Sequence, residues 1–236
     1  MRSKPYFDPL RITAACVIST LLACGGGSGG NGGGGGGGGH EGDSAYGARV
    51  LHAAIDGAPV DVTSSTASSP ILSKQVFAGT KGYRGLAGGA QILSLTRAQT
   101  PSDVIDSFSV EGAPDDRYTI LLYGDNATFG LRARLFQDEI PDTQGGAALR
   151  VINGVTQAAN VTISIGTDPT QTIAFGDATE YVATKGGAVN VSAVRATDGS
   201  PIQSGPITLE IGKVYTLLLA GEIGYYTKSV LFTDAN

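Results

Sequence analysis

The chain has 236 residues, 41% of them hydrophobic, which is enough for one large core or two small ones once any targeting segment is set aside. Aromatic content is 7%, Trp is absent, Met occurs once and Gly 36 times, a composition that argues against helical bundles and for short strands joined by many turns. The formal net charge of −5 argues against nucleic acid as a partner and against an electrostatic grip on anionic lipid.

The first eleven residues, MRSKPYFDPLR, carry Arg2, Lys4 and Arg11, and the next dozen, ITAACVISTLLA, are apolar or small. That is the basic and apolar pattern of a secretory signal, too short to span a bilayer, which takes about 20 apolar residues. Leu21-Leu22-Ala23-Cys24 resembles the lipobox of bacterial lipoproteins. The resemblance implies cleavage before Cys24, a lipid on its sulfur and, with Gly25 rather than Asp next, the outer membrane. Each buried methylene of such a lipid contributes about 0.8 kcal/mol, so two or three acyl chains hold firmly. Cys16 would leave with residues 1–23, so no intramolecular disulfide is expected and packing must hold the fold. The cut also removes Arg2, Lys4, Arg11 and Asp8, moving the net charge from −5 to −7. Residues 24–46 then read as the lipidated cysteine and a glycine-rich tether that gains nothing by folding and spans roughly 20–25 Å. A phosphate-binding loop would need Lys-Ser or Lys-Thr after the last glycine, and His40-Glu41 stands there.

The remainder is a repeat. ARVLHAAIDGAPVDV (48–62) lies on LRVINGVTQAANVTI (149–163) without a gap, GYRGLAGGAQILSLTRA (82–98) on EYVATKGGAVNVSAVRA (180–196), and RYTILLYG (117–124) on VYTLLLAG (214–221). Three blocks in one order predict two copies of a domain, at 47–140 and 148–236, with a linker at 141–147. Within each copy apolar and polar residues alternate, as in Ile92, Ser94 and Thr96 against Leu93 and Leu95. Turn chemistry such as DGAP, KGG and GDN bounds the runs. The pattern predicts an all-β protein of two tandem immunoglobulin-like or transthyretin-like β-sandwiches, with about seven strands in each.

The phrase Val50-Leu51-His52-Ala53-Ala54-Ile55-Asp56-Gly57-Ala58-Pro59-Val60-Asp61-Val62, followed by Tyr83, Gly88-Gly89 and Tyr118-Thr119, resembles the bacterial domain of unknown function 4397. The resemblance covers both copies, residues 47 to 236, and implies an exported, often lipid-anchored tandem β-sandwich without established catalytic chemistry. The second copy departs from the phrase, with Asn153 at the position of His52 and Gln157 at that of Asp56, so any activity of that pair would belong to the first copy.

Candidate chemistry is sparse. His52 is the one histidine outside the tether, and at a strand position it suits a structural role better than that of a base. Asp56 and Asp61 flank the Gly-Ala-Pro turn, where capping of backbone amides there competes with an acid/base pair. Asp115, Asp116, Asp125 and Asn126 offer hard oxygens for Ca²⁺ without EF-hand spacing. The folded part carries no G-x-S-x-G and no second histidine for a metal site, so neither a catalytic residue nor a cofactor is expected. Tyr83-Arg84 and Tyr225-Tyr226 are candidate aromatic platforms, and one of two adjacent tyrosines on a strand must point outward. These readings favour a non-catalytic, lipid-anchored envelope protein, a tandem-sandwich spacer or a binding module for a protein or glycan through His52, Asp56, Asp61, Tyr225 or Tyr226. The competing expectation is a carboxylate- or metal-dependent hydrolase built from His52, Asp56 and Asp61.

Overall fold

The computed structural model describes residues 47–79, 81–128 and 130–235. The signal segment, Cys24, and the glycine-rich tether with His40 lie outside the described residues. The first copy runs β1 (Gly47–His52), β2 (Val60–Ser64), β3 (Leu72–Gln75), β4 (Gly89–Arg97), β5 (Thr100–Gly112), β6 (Arg117–Asp125) and β7 (Gly130–Gln137). The second runs β8 (Ala147–Thr156), β9 (Asn160–Ile165), β10 (Gln171–Ala174), β11 (Val182–Thr184), β12 (Gly187–Arg195), β13 (Pro201–Leu209), β14 (Val214–Glu222) and β15 (Tyr226–Ala235). No helix among the described residues is long and apolar enough to cross a membrane.

Each copy is a sandwich of two sheets. Strand orders are β1-β6-β7 with β3-β2-β4-β5 in the first copy, and β11-β8-β14-β15 with β10-β9-β12-β13 in the second. The second copy thus has eight strands rather than about seven. β11 pairs with β8, whereas the first copy makes only a single bridge, Ala48 to Arg84, at that place. Gly85 stands there where β11 has Ala183, and glycine holds an extended strand less well.

The alternation in ARVLH fills two different cores. Ala48, Val50 and Ala54 point into the first sandwich with Val60, Val62, Leu93, Leu95, Ile120 and Leu122. Leu51 and Ala53 point the other way and pack with Leu121 against Ile152, Leu218 and Ala220 of the second copy. β1 and β8 are therefore buried at every residue, as befits strands paired in parallel with β6 and β14 and covered on both faces. The two inner sheets lie face to face, with an outer sheet beyond each. Contact is close enough that a side chain on Gly154 would put its Cβ 2.3 Å from Ala53 Cβ. Beside it the Gly221 amide donates across the seam to the Ala53 carbonyl at 3.2 Å.

Reciprocal ion pairs lock this seam. Arg49 of β1 pairs with Asp234 of β15 at 2.7 Å, and Arg150 of β8 pairs with Asp138, just past β7, at 2.5 Å. Thr119 Oγ1 donates to Asp138 at 2.6 Å while accepting from Arg49 Nε at 2.9 Å. Its repeat equivalent Thr216 donates to Asp234 at 2.5 Å while accepting from Arg150 Nε at 2.9 Å. Tyr83 and Tyr181 donate to the same two carboxylates at 2.8 and 2.7 Å, and the guanidinium carbons of Arg49 and Arg150 lie 4.6 and 4.8 Å from the centres of those rings. Each copy thus supplies one cation and one anion to the other. Burial alone would favour neutral guanidines, but the facing carboxylates, Asp234 foremost for Arg49 and Asp138 for Arg150, hold both pKa values above the ordinary one. Burial likewise pushes both tyrosine hydroxyls up, so they serve as donors. Such a cluster fixes orientation more than it adds net stability, because desolvating four charges offsets most of the attraction.

Candidate functional site

Because β1 runs parallel to β6, and β8 to β14, the β1–β2 turn and the β6–β7 hairpin of one copy lie at the same end as the β8–β9 turn and the β14–β15 hairpin of the other. The Thr156 hydroxyl donating to the Gly124 carbonyl at 3.4 Å ties two of these loops across the seam. Gly124 and Gly221 open the two hairpins at φ of 96° and 101°, where an added Cβ would strike the carbonyl oxygens of Gly130 and Tyr226 at 2.2 and 2.1 Å. This is why the repeat ends each YT-x-L-L phrase in glycine.

The residues singled out in the sequence part company here. His52 is fully buried, its Nε2 3.2 Å from the Ala58 carbonyl, and burial holds its pKa below the ordinary histidine value. Asn153 performs the same task in the second copy, donating from Nδ2 to the Ala158 carbonyl at 3.1 Å. Asp61 accepts the amides of Lys74 at 2.7 Å and Gln99 at 3.3 Å, and so pins two neighbouring segments rather than its own turn. Asp56 accepts the Asn126 amide at 3.0 Å and pins the β6–β7 hairpin. Of these three, only Asp56 also faces a groove. Tyr83 is a seam residue, buried beneath Arg49, and forms no platform with Arg84. Asp115-Asp116 precede β6 and Asp125-Asn126 stand at its far end, roughly 30 Å apart at about 3.4 Å per residue, so they cannot share a cation.

The tyrosines behave differently. Tyr225 is 79% and Tyr226 46% exposed at the tip of the β14–β15 hairpin. They line a groove with Glu222 of the same hairpin and with Ile55 and Asp56 from the other copy. Phe77 supports the floor, its ring centre 6.2 Å from that of Tyr226. Gln157 donates to Glu222 and steadies it. The equivalent place on the other side of the seam is a second groove, lined by Thr128, Arg132, Gln157, Ala159, Ala174 and Phe175. Sequence reading found Asp56 and Tyr225-Tyr226 but not that they meet, nor the parts of Ile55, Phe77 and Glu222. A usable signal lies in the repeat, since Asp56 against Gln157 and Tyr226 against Gly130 are positions where the copies disagree.

The model of the family described as "Domain of unknown function (DUF4397)" matches residues 47–164 and again 147–236. The chain belongs to the DUF4397 family. Its two matches overlap on β8 and β9 and are consistent with two copies of the DUF4397 domain. No curated protein matches this DUF4397 chain. Among solved structures it is similar to the family 26 carbohydrate-binding module CBMbc of Eubacterium rectale Amy13K, in complex with maltoheptaose. That likeness has 11% identity and a TM-score of 0.27, and covers 80% of this chain and 97% of the other. At that level it assigns no ligand to the DUF4397 chain.

Proposed function

We propose that the protein is a non-catalytic glycan-binding module, carried on a lipid at Cys24 in the outer membrane, whose ligand lies in the groove between its two copies. The observation that carries this reading is the pair of exposed tyrosines, Tyr225 and Tyr226, set beside Asp56 and Glu222. Soluble proteins seldom leave large aromatic side chains so open without a use for them. Tyrosine faces suit the C–H faces of sugar rings, and carboxylates accept from sugar hydroxyls. The other candidate groups have structural duties: His52 Nε2 is spent on the Ala58 carbonyl and Asp61 on two amides, which leaves Asp56 as the one member of the hydrolase set that faces the groove. The lipid anchor is supported by Leu21-Leu22-Ala23-Cys24 and the glycine run after it.

The test is titration of the full chain with soluble oligosaccharides, read by tyrosine emission, which no Trp obscures because the protein contains none. Tyr225→Ala is expected to weaken binding at least tenfold, about 1.4 kcal/mol, without moving the unfolding midpoint. A glycan that binds wild type and variant alike would place the site elsewhere. For the anchor, Cys24→Ser should move the protein from the membrane fraction to the soluble one. Retention in membranes would remove the lipid from the proposal.

A further inference from the structure

The two grooves occupy equivalent places on the repeat and differ in the charges that line them. The one holding Tyr225 and Tyr226 has two carboxylates, Asp56 and Glu222, and no lysine or arginine in its lining. Both carboxylates are steadied by neutral groups only, Asp56 by the Asn126 amide at 3.0 Å and Glu222 by the Gln157 amide, and neither has an ion-pair partner among the described residues. Across the seam Gln157 stands in place of Asp56, Gly130 holds the register position of Tyr226, and Arg132 contributes a cation. Two unneutralised carboxylates beside tyrosine rings form an acceptor for an organic cation, since ring faces and carboxylates both attract an ammonium group. The shape favours a sugar as the carrier. Tyr225 and Tyr226 form an open rim rather than an enclosing cage, which fits the flat face of a pyranose. We infer that this groove takes a glycan through an amino sugar, a hexosamine whose free amine is protonated and lies against Asp56 and Glu222. The inference rests on the glycan reading above and narrows it.

The experiment compares a glucosamine tetramer, an N-acetylglucosamine tetramer and tetralysine on the full-length protein by tyrosine emission. The glucosamine tetramer is expected to bind about tenfold or more tighter than its acetylated twin. That preference should shrink between about 0.02 and 0.3 M salt, because the charges are exposed. The double variant Asp56→Asn, Glu222→Gln keeps acceptors for Asn126 and Gln157 and should abolish most of the preference, while Tyr225→Ala should weaken both sugars, the glucosamine tetramer at least as much as its acetylated twin. Equal affinity for the two tetramers would overturn the amine inference and leave the glycan reading standing. Tetralysine binding as tightly as the glucosamine tetramer would overturn the commitment to sugar in favour of bare charge. Binding of neither tetramer, nor of any neutral oligosaccharide, would overturn both.

Discussion

The two copies agree at the seam and disagree at the loops. Arg49 and Arg150, Thr119 and Thr216, Tyr83 and Tyr181, Asp138 and Asp234 are the same residue types doing the same work on either side. At the loop end His52 has Asn153 as its counterpart, Asp56 has Gln157, and Tyr226 has Gly130. The difference separates two constraints. A buried charge tolerates only a partner of opposite sign, so the seam is held to its residues. An exposed groove residue is free of that penalty and can take up a task of its own.

That separation can be attacked first where the expected effect is largest. Arg49→Met should cost about 3–5 kcal/mol in denaturant unfolding, because Asp234 is left buried and unpaired, and Arg150→Met should cost the same within about 1 kcal/mol. Adding Asp234→Leu to Arg49→Met should return much of the loss. Unequal single variants would mean that the seam is not reciprocal in energy. Next in size, Gly154→Ala should cost about 1–3 kcal/mol by pushing its Cβ into Ala53, and the exchange Ala53→Gly with Gly154→Ala should recover most of it. The smallest effect tests interchangeability. His52→Asn installs the residue of the second copy and should leave stability near neutral pH within about 1 kcal/mol. Its mark is in acid. Burial lowers the folded pKa of His52, so below about 6.5 the unfolded chain binds the proton first and stability falls with pH. The Asn variant should lose that part of the slope in unfolding curves collected between about pH 5 and 7, the window around and below the unfolded histidine pKa.

How far the sequence could be read follows from the range of the forces involved. Strand alternation and turn chemistry are local, so Leu93-Ser94-Leu95 and the DGAP turn announced a sandwich. A repeat is also visible without coordinates. The alternation of Val50 and Leu51 did not disclose that both faces of β1 are covered, because the second cover comes from residues about a hundred positions away. Arg49 and Asp234 drew no notice for the same reason: as isolated letters they look like solvated surface charges. Tyr83 reads as a candidate platform whose match to Tyr181 suggests a structural role, but the phrase around it says nothing of the guanidinium stacked on it. The groove was half legible, with Asp56 and Tyr225-Tyr226 named but apart, since a site shared between copies has no signature in either one.

The crossed pairing of Arg49 with Asp234 and Arg150 with Asp138 has the form of a twofold dimer contact held within one polypeptide. In a true dimer such a contact dissociates on dilution. Here residues 138–146 alone join the last strand of one half to the first of the next, which fixes the effective concentration of each half near the other in roughly the millimolar range. The assembly therefore forms by a first-order step, and a groove that needs both halves remains complete however scarce the protein is.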